Sequence, residues 1–265
     1  MTPCSKLELE RFFSGIGARM GQADTHLAQG LPSPLVRVSE VEKFFSVIRN
    51  KVEPQQRLFD RKQATHFNVF DFIKPDENKL SDVLAWLLDP RESHGQGDLF
   101  LRLLFKQLDL GADAKLTMDA MVQREAPTFG IQKYRRRMDV LVEAGEWLVI
   151  ENKVDSPEQP EQVKDYLEHL HRCTRNRSIE STLIYLTPDG RLPESLRPAV
   201  LKKCEASGRL HCWNYQVELR RWLEICRRDC EAHKIKIFLT DFIGYIESVL
   251  KRESENEQGK EADEN

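Results

Sequence analysis

Residues 135–166, RRRMDVLVEAGEWLVIENKVDSPEQPEQVKDY, contain two short apolar runs at 138–142 and 147–150, parted by Glu143-Ala144-Gly145-Glu146. Runs of this length around a glycine-bearing turn predict an antiparallel hairpin. A three-residue loop, 144–146, sets Asp139 directly across from Glu151, with Cβ atoms roughly 5 Å apart. A two-residue loop would slip the register by one and set Asp139 against Ile150, an apolar neighbour with no use for a carboxylate. The first register is therefore expected.

Glu151 and Lys153 are two apart on one strand and point to the same side. Two carboxylates and an ammonium then converge at one place. Burying such charges is costly unless a cation or a substrate completes the set. Asp139, Glu151 and the backbone carbonyl of Asn152 offer oxygen ligands only, which suits Mg²⁺ or Mn²⁺ better than zinc. A metal there would acidify water, while Lys153 would orient that water and offset charge growing on a phosphate. A plainer reading pairs Asp139 with an arginine of 135–137 and leaves Glu151 and Lys153 side by side on an exposed strand. The apolar run 147–150 speaks against it, because it predicts a strand covered on both faces, and polar groups at the end of such a strand are where sheet-based sites form.

Bulk properties narrow the classes. With 265 residues, 40% hydrophobic and 31% charged, the chain can bury a full core. It has no apolar run of about eighteen residues and no basic start followed by an apolar stretch, so neither a membrane span nor a secretory signal is expected and the expected compartment is the cytoplasm. The net charge of −3 is carried by residues 251–265, with six acidic and three basic side chains, so the rest is neutral and any nucleic-acid surface must be a local patch. The six cysteines, Cys4, Cys173, Cys204, Cys212, Cys226 and Cys230, form no CxxC pair and read as reduced thiols. A thiolate site using Cys226 and Cys230, one helical turn apart, is the lesser alternative.

Periodicity predicts helices over 5–22 and 39–51, a connector at 30–34, and a strong helix over 77–88 behind Lys74-Pro75-Asp76. Glu77, in the first turn of that last helix, either complements the helix dipole or joins the site. A short helix over 98–108 follows the loop His94-Gly95-Gln96-Gly97, read as a flexible, substrate-facing segment. A first strand is expected over 121–125. Ser156-Pro157-Glu158-Gln159 has the form of a capping box, although Pro160 would delay the helix by two or three residues, and Gln162 and Tyr166 share a face. Strands over 182–186 and 210–213 alternate with helices over 194–206, 216–229 and 238–250. Arg220, Arg221, Arg227 and Arg228 form a basic face that either meets phosphates or is solvated surface.

The fold class is thus α/β with an α+β mixed sheet. The expected division is a helical N-terminal extension at 1–75, a core domain at 76–250 and a disordered acidic tail at 251–265.

The order Asp139, then Glu151-Asn152-Lys153, then a helix bearing Gln162-Val163-Lys164-Asp165-Tyr166 resembles the PD-(D/E)XK nuclease superfamily with a RecB-like QxxxY signature. The block Glu77-Asn78-Lys79-Leu80-Ser81-Asp82 through Asp89-Pro90, with Ser93-His94-Gly95, is similar to the N-terminal block of a bacterial branch. Met138 stands where the name-giving proline would be, and the cysteines of the iron–sulfur branch are not reproduced. The resemblance implies a restriction-endonuclease-like core with added terminal helices. Asp139 and Glu151 would be metal ligands, Lys153 the catalytic lysine, and Glu77 the acidic residue of the first core helix and a further candidate ligand. Gln162 and Tyr166 would support the metal site or touch the DNA backbone, Arg136 or Arg137 would contact phosphate, and His94 would face substrate. The implied activity is Mg²⁺-dependent cleavage of nucleic acid, DNA above RNA, in restriction, repair or phage defence. Partners would be nucleic acid and a helicase, a methyltransferase or another defence subunit, with no membrane. The alternative is an inactive module that keeps the fold and binds nucleic acid or a protein.

Overall fold

The computed structural model describes residues 38–64, 67–111, 117–129, 136–154, 156–177 and 179–250. The expectations for the helix at 5–22, the connector at 30–34, Cys4 and the acidic tail at 251–265 lie outside the described residues. The chain divides into two compact units, Met1–His66 and Phe67–Asn265. In the first, helix α1 spans Val38–Gln63 with Pro54 inside it, well beyond the apolar periodicity that predicts 39–51.

The second unit opens with the short helix α2 (Val69–Ile73), which is tied into the core. Asn68 caps it by accepting the Phe70 N–H at 2.9 Å. The Phe70 ring lies 5.1 Å from Phe242 and 5.6 Å from Tyr245. Helix α3 (Glu77–Leu88) follows, with Asp76 as its N-cap accepting the Lys79 N–H at 2.8 Å. Leu80, Leu84, Leu87 and Leu88 are fully buried beneath it. Helix α4 spans Leu99–Gln107.

Five strands then form one mixed sheet in sequential order: β1 (Met121–Pro127), β2 (Arg137–Glu143), β3 (Trp147–Asn152), β4 (Ser181–Thr187) and β5 (Leu210–Asn214). The first three are antiparallel neighbours. β3, β4 and β5 run parallel, which requires crossovers: helix α5 (Gln162–Thr174) before β4 and helix α6 (Pro198–Ala206) before β5. A π-type turn, Tyr215–Leu219, leads into helix α7 (Arg220–Asp229), and helix α8 (His233–Tyr245) closes the described chain with a second π-type turn, Ile246–Leu250. Val140, Leu148, Ile184 and Trp213 face a core shared with α3, α4, α7 and α8, whereas Leu141, Val149, Leu183 and Tyr166 belong to a second core beneath α5 and α6. Every residue of β3 is buried, as a strand covered on both faces requires.

Glu143 pairs with Trp147 and Val140 with Ile150, so the hairpin loop has three residues, 144–146. Bridging stops at Val140–Ile150. The next opposed positions in that register, Asp139 and Glu151, are left with their side chains to be satisfied.

Local signals misplaced several starts. The Ser156–Gln159 stretch does not cap α5, which begins at Gln162 behind Glu161 in the left-handed region at φ 62°. The Ser156 hydroxyl donates to Glu77 instead, at 2.8 Å. Helix α6 begins at Pro198 and not at 194, since proline suits the first turn. Helix α8 begins at His233, a turn earlier than 238. On α7, Arg220 is paired with Glu224 and Glu247, and Arg228 with Asp229, so part of the basic face is already neutralised.

Candidate active site

The end of β3 distributes three consecutive side chains by simple alternation. Asn152 turns toward α3, where its Nδ2 donates to the Glu77 carbonyl and to Ser81 Oγ, both at 3.1 Å. Its Oδ1 accepts the Tyr215 hydroxyl at 2.7 Å. Glu151 turns the other way, toward α5, and accepts from Gln162 Nε2. Lys153 returns to the Glu151 side, with Nζ 3.0 Å from Glu151 Oε1 and 3.8 Å from Glu77 Oε1.

Asp139 faces this group from β2. Its Oδ2 accepts the backbone N–H of Asn152 at 2.7 Å. Burial pushes the Asp139 carboxyl above its ordinary range, against the opposing pull of the Asn152 N–H and of Lys153. Glu151 is pushed to about 8, first by burial and then by the charge of Asp139. For Lys153 burial acts downward, but Glu151 outweighs it and the amine is held above its usual value. The site therefore keeps its ammonium and resists ionising both acids at once.

One atom exposes the deficit. Glu151 Oε2 is buried and has no hydrogen-bond partner. An orphaned carboxylate oxygen beside a second carboxylate is an electrostatic demand for positive charge. No three His, Cys, Asp or Glu side chains are gathered in metal-binding fashion among the described residues. The oxygen donors that could hold a cation here are Asp139 on β2, Glu151 on β3 and a main-chain carbonyl such as that of Asn152. These are hard oxygen donors, suited to Mg²⁺ or Mn²⁺.

The remaining predicted residues divide in two. Gln162 and Tyr166 are brought to the site: Gln162 Nε2 also donates to the Tyr166 hydroxyl at 3.0 Å, and that hydroxyl donates to the Arg137 carbonyl at 2.6 Å. Glu77 is there too, but its carboxylate accepts the Val154 N–H at 2.9 Å and the Ser156 hydroxyl, holding the loop after β3.

Arg136 and His94 go elsewhere. Arg136 is buried, ion-paired with Asp165, and donates to Gln159 Oε1 and the Pro160 carbonyl. It braces the approach to α5 where a phosphate contact was expected. His94 is 2% exposed, bonded through Nε2 to the Asp89 carbonyl at 2.9 Å and through Nδ1 to the Gln96 N–H at 3.0 Å. Those bonds fasten its own loop, in place of a substrate-facing role. Arg137 is exposed and paired with Glu125 at 2.8 Å.

Four participants carried no sequence signal that pointed to the site: Ser81, Ser156 and Tyr215, already described, and Arg124, which donates to the Asp139 carbonyl. Only folding brings them in, since Tyr215 lies 63 residues from the asparagine it contacts.

A family model described as the PD-(D/E)XK nuclease superfamily matches residues 67–244, two thirds of the chain. The chain belongs to the PD-(D/E)XK nuclease superfamily. The match opens at the first residue of the second unit and encloses every strand of the mixed sheet. PD-(D/E)XK nucleases generally use a divalent cation such as Mg²⁺, and membership implies a nucleic-acid substrate class. No curated protein and no solved structure matches the chain. Among the described residues no helix is long and apolar enough to cross a membrane.

Proposed function

We propose that the protein is a Mg²⁺-dependent deoxyribonuclease with its acidic pair at Asp139 and Glu151 and its catalytic amine at Lys153. The observation that carries this reading is the buried, unpartnered Oε2 of Glu151 beside Lys153 and Asp139. A cation held by Asp139, Glu151 and the Asn152 carbonyl would supply positive charge and acidify the attacking water. The chain's own groups do the rest. Lys153, held by Glu151 and Glu77, offers N–H donors to the phosphate as negative charge builds. Gln162 fixes the orientation of Glu151, and Tyr166 fixes Gln162. The Asn152 N–H locks one oxygen of Asp139, leaving the other for the cation.

Supercoiled plasmid and linear DNA, incubated with the purified chain and Mg²⁺, Mn²⁺ or EDTA, test this directly. Metal-dependent cleavage that Asp139→Ala and Lys153→Ala abolish is the expected result. Cleavage persisting unchanged in both folded variants would refute the assignment. The same assay on single-stranded RNA tests the choice of DNA.

A second reading has one observation in its favour: the Glu77 carboxylate is committed to Val154 and Ser156 and not to the acidic pair. On that reading the protein keeps the fold as a binding module, docking nucleic acid or a helicase or methyltransferase partner in a defence system. It predicts DNA binding in EDTA with no turnover in any metal.

A further inference from the structure

We infer that Arg124 is a positioning residue for Asp139, setting the strand so that the acidic pair can hold a cation. The inference rests on the reading of Asp139 and Glu151 as that pair.

The β1–β2 ladder pairs Arg124 with Val140 and Ala126 with Met138, but passes over Glu125 and Asp139 between them. Glu125 sits at φ 48°, in the left-handed region. Met138 and Val140, two apart on one strand, pack into opposite cores, which regular alternation forbids. The register is the same on both sides of the gap, so the backbone is rotated at Glu125 and Asp139 without a slip. The Asp139 carbonyl accepts from Arg124 Nη1. The other arms of the guanidinium reach α3: Nη2 donates to the Asn78 carbonyl at 3.2 Å and Nε to Asp82 Oδ1 at 2.9 Å. Asn78 follows Glu77, whose carboxylate lies 3.8 Å from Lys153. One side chain thus ties β1, the acidic residue of β2 and the first turn of α3 into a single frame. A plain surface ion pair would need Nε alone. Two main-chain carbonyls and a carboxylate at once require the planar fork of arginine, which an ammonium cannot reproduce.

Mn²⁺ binding to the full chain, followed by electron paramagnetic resonance with circular dichroism as the check on folding, tests this without reference to cleavage. Arg124→Ala should weaken Mn²⁺ binding by about 10- to 100-fold, the range for residues that orient metal ligands. Arg124→Lys should lose nearly as much, because charge without the fork does not hold the strand. Added guanidinium should restore part of the loss in Arg124→Ala. Asp82→Ala, which removes one anchor at the surface, should give a smaller loss in a folded protein. Should Arg124→Ala fail to fold, Arg124→Lys and Asp82→Ala decide. Variants that bind Mn²⁺ as tightly as the parent would overturn the role of Arg124 while leaving the acidic pair standing. A parent chain that binds no Mn²⁺ would overturn the reading of the pair, and the role of Arg124 with it.

Discussion

Lys153 Nζ lies 3.0 Å from Glu151 Oε1, and both side chains are buried at the exit of a strand that is covered on its two faces. The pairing is one-sided. Lys153 satisfies one oxygen of Glu151 and leaves Oε2 without a donor. An ion pair built for stability alone would close both oxygens, since a half-satisfied buried charge costs more than it returns. The open oxygen is what the proposed cation would use.

Lys153→Met is expected to reduce metal-dependent cleavage by about 10²-fold or more, the usual scale for losing one donor to transition-state charge. The fold should survive, because Glu151 already favours its protonated form and would take up a proton in place of the lost ammonium. Cleavage rates with a circular dichroism melt check both halves. A variant that retains the parent rate would show that the amine serves the fold only.

The pKa of Glu151 gives a stability prediction with a definite sign. Its folded value, about 8, lies above the ordinary value of 4.5 because of burial first and Asp139 second. The folded state thus holds this proton more tightly than the unfolded chain. The stability it contributes is fully present below pH 4.5 and is lost progressively as pH rises toward 8. Glu151→Gln, a neutral mimic of the protonated acid, should match the parent near pH 5. Near pH 8 in EDTA it should exceed the parent by on the order of 1–3 kcal/mol. Urea titrations of both proteins at the two pH values decide it. A parent stability that is flat with pH and equal to the variant's would show that Glu151 is not strained.

Metal should reverse that loss. A cation between Asp139 and Glu151 must displace the proton on Glu151, so binding should tighten as pH rises from 6 toward 8.5 and release protons to the buffer. At saturation, with free metal about a hundredfold above its dissociation constant, the native state should gain about 2.7 kcal/mol. Calorimetry of Mn²⁺ binding in buffers of different ionisation enthalpy measures the protons directly. Asp139→Ala should remove both the heat and the thermal shift.

The hairpin was legible because two local rules agree on it: turn length sets the register, and period-two alternation sets the faces. The 77–88 helix was legible at both ends, since Asp76 caps it and Asp89-Pro90 stops it. What remained hidden was long-range. Ser156 carries a good capping signal, yet the Glu77 carboxylate, 79 residues away, takes its hydroxyl. Arg136 and Arg137 are equivalent in sequence, but the fold buries one against Asp165 and exposes the other. His94 beside two glycines reads as a mobile loop until its ring is seen to bond both ends of that loop. Arg124 and Tyr215 act through groups distant in the chain, and no spacing rule reaches them.

Tyr215 supplies a test of that distant part. Its hydroxyl donates to Asn152 Oδ1 at 2.7 Å, and the phenol is fully buried at the start of a π-type turn, a geometry often found near functional sites. Asn152 spends its two amide hydrogens on the Glu77 carbonyl and on Ser81, so the tyrosine closes a network that joins β3, α3 and the end of β5. Tyr215→Phe would leave Asn152 Oδ1 in the core without a donor. The expected cost is about 1–3 kcal/mol, the price of an unsatisfied buried acceptor. Cleavage should fall as well, because Asn152 stands between Glu151 and Lys153 and its N–H locks Asp139. Urea unfolding and initial rates, measured on the same preparation, separate the two effects. A loss of stability below about 0.5 kcal/mol, the level of an ordinary surface substitution, would mean that the asparagine finds another donor and the network does not set the site.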